Sequence, residues 1–239
     1  MQTYLKLVLL AVCAIPFTAQ AQNFGPPPGA IFDLASPAQP LMTTYKEFAV
    51  DFTATDTTTI VTFVFRHDPG FFAIDDISVT PFGGGGNLLA NGDFETGTPG
   101  GLATFWTYFN QNGVPFGGVI AVAGDQDLNP HGGTQFWLDG ATGGYDGISQ
   151  AITTTIGATY TIDFFVNQID TNFIAGITSP ITAFQHVSTN GAAGTSGNGV
   201  DLLVYAGALP STATPEPTSI ALMALGLATL GLRRYRHEA

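Results

Sequence analysis

Short runs in which apolar and polar residues alternate recur through the middle of the chain, each closed by Gly, Asn, Asp or Pro. A period of two marks half-buried strands, and turn residues at such close spacing leave no room for helices. Phe48, Val50, Phe52 and Ala54 alternate with polar or small partners. Thr57-Thr58-Thr59 then makes a turn, residues 60–65 read as a buried strand, and Asp68-Pro69-Gly70 turns the chain into a third strand at 71–79. Further strands are expected at 119–123, 135–138, 147–154, 159–166, 181–188 and 200–205, with an aromatic run, Phe105-Trp106-Thr107-Tyr108-Phe109, before them. Thirty Gly, 19 Phe and few Lys, Glu or Arg describe β-branched and aromatic strands joined by tight turns, a poor helix former. The fold class expected is all-β, a β-sandwich.

The formal charge is −12, but four of the six basic residues, Lys6, Arg233, Arg234 and Arg236, lie near the two ends. Between them Lys46 and Arg66 face sixteen carboxylates, a body charge of −14. Such a body is repelled by phosphate backbones and anionic headgroups, which excludes nucleic acid and basic-patch membrane binding. The one cysteine, Cys13, falls in the N-terminal apolar run, so the body has no disulfide, thiol nucleophile or thiolate metal site.

Lys6 precedes the apolar run 7–17, and Ala19-Gln20-Ala21 offers small residues where a signal peptidase cuts. Residues 1–21 are read as a signal peptide and 22–40, with Pro26-Pro27-Pro28, as a lead-in that builds no core. Toward the other end Pro215-Glu216-Pro217 precedes an apolar run, 220–232, and then Arg233-Arg234-Tyr235-Arg236. Thirteen residues span only about 20 Å as a helix, so residues 219–232 make a short transmembrane segment, its arginines cytoplasmic and the body outside. Residues 215–239 resemble the PEP-CTERM sorting signal of Gram-negative bacteria. The resemblance implies recognition by an exosortase, a membrane transpeptidase-like protease, and release or attachment at the cell surface.

The body expected to fold, 41–209, divides into a first block, 41–80, a glycine connector, 81–86, and a main block, 87–209. Asn91-Gly92-Asp93-Phe94-Glu95, Tyr145-Asp146-Gly147-Ile148-Ser149-Gln150 and Tyr160-Thr161-Ile162-Asp163-Phe164-Phe165-Val166 resemble the first and middle strands of galactose-binding-like jelly-roll modules, as in carbohydrate-binding modules. Their final strands are similar to Phe63-Val64-Phe65-Arg66 and Ile74-Asp75-Asp76-Ile77-Ser78-Val79. Here that ending comes first. The body is either a circularly permuted jelly roll, whose first block completes the sheets of the main block, or a main block preceded by the stump of a lost repeat. The permuted form is favoured, since three strands alone would leave apolar faces and sheet edges open.

The resemblance implies a structural calcium ion between Glu95 and Asp75 or Asp76, with Asn91 adding an oxygen. It also implies sugar contacts by flat aromatic faces, for which Trp106, Tyr108, Trp137 and Tyr145 are the candidates, with Asp139 as polar company. Trp106 and Tyr108, two apart in a strand, point the same way. No catalytic constellation is found: the histidines are scattered, no Gly-x-Ser-x-Gly elbow occurs, and Gly83 to Gly86 lack the Lys of a phosphate loop. The chain reads as a non-catalytic exported protein of the cell surface or extracellular matrix that binds polysaccharide, or else as a structural surface protein that binds no glycan.

Overall fold

A computed structural model of the protein describes residues 26–35, 42, 44–68, 70–110, 117–168 and 199–209. The candidate signal peptide, the sorting tail and the strand expected at 181–188 lie outside them. Among the described residues the regular structure is ten strands and one 3-10 turn, Asp125–Asp127. Two antiparallel sheets of five strands face each other as a β-sandwich. The first sheet runs β1 (Phe32–Asp33), β10 (Gly199–Ala206), β3 (Thr58–Asp68), β8 (Asp146–Thr153), β5 (Thr107–Asn110). The second runs β2 (Lys46–Thr53), β9 (Thr159–Gln168), β4 (Phe72–Pro81), β7 (Gln135–Asp139), β6 (Val119–Val122).

The strands of the first block are dealt into both sheets. No two of β2, β3 and β4 are neighbours: β2 pairs with β9, β3 lies between β10 and β8, and β4 lies between β9 and β7. Phe52, Phe63, Phe65 and Ile77 are consequently buried in the same core as Ile148, Phe164 and Val204. Burying each such side chain contributes roughly 1.5–3 kcal/mol. Strands β2, β3 and β4 of the first block are thus part of one sandwich with the strands of the main block.

Two segments depart from the sequence reading. Residues 26–35, expected to build no core, supply edge strand β1, with Phe32 opposite Val204 and Leu34 fully buried. The proline run is tied to β10, the carbonyl of Pro27 accepting the Tyr205 hydroxyl at 2.6 Å. Residues 91–95, matched by resemblance to a first strand, form turns, with Asn91 and Phe94 at positive φ. Beyond Ile74 the flank of β4 away from β9 is free of β7, and this segment takes it: Ile77 N–H donates to Gly92 O and Leu88 N–H to Val79 O, both at 2.8 Å. A Cβ on Gly92 would lie 1.9 Å from Ile77 O, so only glycine fits.

In β4, Phe72 and Ile74 point into the core, and so do Ile77 and Val79. The phase shift is a bulge. The ladder to β9 passes from Asp75 opposite Phe165 to Ser78 opposite Asp163, one residue in excess, and Asp76 takes φ 48°. Two consecutive acids therefore lie on the outer face of the second sheet.

Candidate functional site

Buried polar side chains concentrate at one end of the sandwich, where β3 passes to β4, β5 to β6, β7 to β8 and β9 to β10. Arg66, His67, Asp68, Asp139, Asp146, Gln168 and Asp201 are all buried there. Antiparallel pairing puts them together: β3 ends where β10 begins, and β7 ends where β4 begins. At the opposite end the chain passes through turns at 54–57 and 154–158, and the buried polar side chains are Thr59 and Thr154, whose hydroxyls bond at 3.0 Å.

The centre of the polar end is a pair of carboxyls, one from each sheet. Asp139 follows the inward phase of Trp137 on β7, and Asp146 that of Ile148 on β8. Asp146 Oδ2 accepts the Tyr108 hydroxyl at 2.8 Å and the Gly118 N–H at 2.9 Å, and Asp139 Oδ1 accepts the Ala141 N–H at 3.0 Å. Asp139 Oδ2 and Asp146 Oδ1 receive no N–H or O–H donor. Burial raises the carboxyl of Asp139 well above the usual range, and the neighbouring Asp146 charge raises it further. Asp146 is raised by burial too, but the carboxyl of Asp139 donates to it and so favours its charge. These directions favour a protonated Asp139 beside a charged Asp146, a pairing that joins β7 of one sheet to β8 of the other. Burial and the Asp146 charge also raise the Tyr108 phenol, which keeps it a donor.

On the outer side of the first sheet Arg66 bonds Asp68 at 2.5 Å and lies over the Tyr145 ring at 5.6 Å, while the Tyr145 hydroxyl donates to Asp201. Asp68 also accepts the Gly143 N–H at 2.8 Å. Between the sheets the His67 ring stacks on Phe72, and its Nε2 is 3.1 Å from Gln168 Nε2.

The acids expected to share calcium gather around one loop, 131–135. Asp75 Oδ2 accepts the N–H groups of His131 at 2.8 Å and Gly132 at 3.2 Å, and Asp76 Oδ2 lies 2.6 Å from His131 Nδ1. Glu95 takes the Thr134 N–H and hydroxyl and the Gln135 N–H at 2.6–2.7 Å. Gly133 takes φ 58°, which favours glycine, and a Cβ there would meet Glu95 Oε1 at 2.2 Å, while one on Gly132 would meet Asp76 Oδ2 at 2.7 Å. His131 also stacks on Phe165 with ring centroids 3.8 Å apart. Burial pushes Asp75 up to about 7, against the hydrogen bonds it accepts. For Glu95 burial acts upward too, but the bonds from Thr134 and Gln135 outweigh it and hold the carboxyl low.

The loop turns N–H groups toward the acids, and among the described residues no three His, Cys, Asp or Glu side chains converge on one point. Asn91 serves elsewhere: its side chain bonds the backbone of Thr96 and Thr104, and its carbonyl accepts the Trp106 indole N–H at 2.9 Å.

Three of the four aromatic residues expected to face a sugar are buried. Trp106 is 8% exposed, Trp137 and Tyr145 are 0%, and Asp139 is buried beside Asp146. Trp106 and Trp137 both pack on Phe94, and the partly buried Tyr108 packs on Trp137. None of the three buried rings presents a face to solvent. Sequence reasoning missed the Asp139–Asp146 pair and the Arg66–Asp68 bond. Its available signal was slight: Asp139 and Asp146 each precede a glycine, which reads as a turn.

Residues 213–236 match the model of the PEP-CTERM protein-sorting motif. No curated protein and no solved structure matches the chain significantly. With the sandwich on one side and the matched tail on the other, the chain is an all-β body carrying a signal for export, membrane anchoring through the tail, processing by exosortase and association with the surface.

Proposed function

We propose that this is a non-catalytic structural protein of the cell surface, whose sandwich serves by packing in a surface layer or matrix and offers no aromatic platform to a sugar. The observation that carries this reading is the burial of Trp106, Trp137 and Tyr145. The polar end supports it: its carboxyls are engaged with neighbouring side chains and backbone N–H groups, where a hydrolase needs a pair open to a substrate. The loop at 131–135 is read as a latch whose acids are satisfied by N–H donors, without a structural ion. The order of resembling motifs supports a permuted, galactose-binding-like jelly roll as the finer description of the fold.

Polysaccharide pull-down and a glycan array with residues 22–214 test the reading, alongside thermal unfolding with calcium and with a chelator. No retention and an unmoved transition are expected. Retention on an extracellular polysaccharide would restore the glycan-binding alternative, and a calcium-dependent rise in Tm would show that the latch holds an ion.

A further inference from the structure

The end opposite the buried acids exposes large apolar side chains. Phe82, just beyond β4, is 71% exposed, and Ile156, in the β8–β9 turn, is 64% exposed. They stand on adjoining backbone: Phe82 N–H donates to Thr159 O at 2.9 Å, and Gly157 N–H donates to Ala54 O at 2.8 Å. Near the start of β3, at the same end, Ile60 is 37% exposed and its carbonyl accepts the Gly207 N–H at 2.9 Å where β10 leaves the sheet. Behind Phe82, a Cβ on Gly83, Gly84 or Gly86 would meet nothing within 4 Å, so the ring projects from an open stretch of chain.

The same end is where the chain departs for its tail. β10 stops at Ala206, and the sorting motif begins at residue 213. From Leu209 to Ile220, where the apolar run begins, the connecting chain reaches about 40 Å at most, fully extended. A tether of that length, fixed at this end, keeps it at high local concentration beside the bilayer that holds the tail. The charged side chains of the nearby strand and turn, Asp51 and Asp56, are acidic, while Lys46 stands at the far end of β2. Apolar insertion, and not attraction to anionic lipid, is the chemistry available.

We infer that, while the tail is membrane-anchored, this end docks on the bilayer with Phe82 and Ile156 in the boundary between headgroups and acyl chains. The polar end then faces away from the membrane. The inference rests on anchoring through the sorting tail and adds a second contact, made by the body itself.

The test uses the full chain, with Cys13→Ser, in phosphatidylcholine vesicles, carrying an environment-sensitive fluorophore at Thr55→Cys or at Thr44→Cys. Both positions are exposed, Thr55 at the apolar end and Thr44 at the polar end. The label at 55 should shift to the blue and lose most of its emission to nitroxide-bearing lipids, while the label at 44 stays as in water. Adding Phe82→Asp and Ile156→Asp should return the label at 55 to its aqueous spectrum. Protein retained on vesicles with both labels in water overturns the docking and leaves sorting intact, which would turn the apolar end toward a protein partner. Failure of the full chain to associate with vesicles overturns the docking and the anchoring together.

Discussion

The two ends of the sandwich are joined by the same long strands but are built on opposite principles. At one end Arg66, Asp68, Asp139, Asp146 and Asp201 are buried and must satisfy one another. At the other, Thr59 and Thr154 share a hydrogen bond, and Phe82 and Ile156 stand in solvent. Beside them a cleft of about 390 Å³ is lined by the β2–β3 turn and by Ala206, Gly207 and Ala208. The contrast teaches where each end is vulnerable. Removing one partner from a buried charged network leaves the other desolvated and unpaired, whereas an exposed apolar side chain holds nothing in place.

The largest effect should come from removing both ends' shared framework. A truncated protein beginning at Asn87 loses β2, β3 and β4, opens edges in both sheets and gives up the burial of Phe52, Phe63, Phe65 and Ile77. Against a total stability of about 5–15 kcal/mol this is decisive, and no cooperative transition is expected by calorimetry. A transition as sharp as that of the whole body would show the first block to be dispensable.

Asp68→Ala should come next. It takes the Asp68 carboxylate from the Arg66 guanidinium, 3% exposed, and the acceptor from the Gly143 N–H, at a cost of about 3–5 kcal/mol in urea unfolding. A loss below about 1 kcal/mol would mean that the polar end behaves like an exposed surface pair.

The pH dependence is smaller and has a definite sign. Asp139 is held well above its ordinary value and Asp75 is pushed up to about 7, so the folded state keeps protons that the unfolded chain releases near 3.8. Their stabilisation is complete below that value and is lost as pH rises, for Asp75 through about 7. Glu95, held low, contributes the opposite way, and its stabilisation is lost on acidification. Stability should therefore decline from about pH 4 toward neutral pH. Asp139→Asn, whose amide can donate to Asp146 without a titrating proton, should flatten that decline. An unchanged slope of Tm against pH would refute the protonated Asp139.

Phe82→Ser and Ile156→Ser should change stability least, within about 0.5 kcal/mol in urea unfolding. A larger loss would mean that the apolar end packs against something in the folded chain.

How far the sequence could be read follows from the range of each interaction. Alternation such as Phe48, Val50, Phe52 is visible within one strand, and eight of the expected segments became β2, β3, β4, β6, β7, β8, β9 and β10 within a few residues of their bounds. Asn91 to Glu95 misled because its use as a turn depends on the free flank of β4, some fifteen residues earlier. The pairing of Trp106 with Tyr108 on one side was legible from their spacing of two. Which side was inward was not, because that depends on where the second sheet lies.

The sequence by itself determined the strand class, the acidic body, the absence of a thiol chemistry there and the sorting tail, since each is a property of composition or of neighbouring residues. Only the tertiary structure decided that the first block is threaded through both sheets, that a bulge turns Asp75 and Asp76 to one face, and that Asp139 meets Asp146. Those contacts join residues brought together by sheet pairing and by the closing of one sheet on the other. Burial is a property of the closed sandwich, and it is burial that raises the Asp139 carboxyl and turns a candidate sugar platform into core.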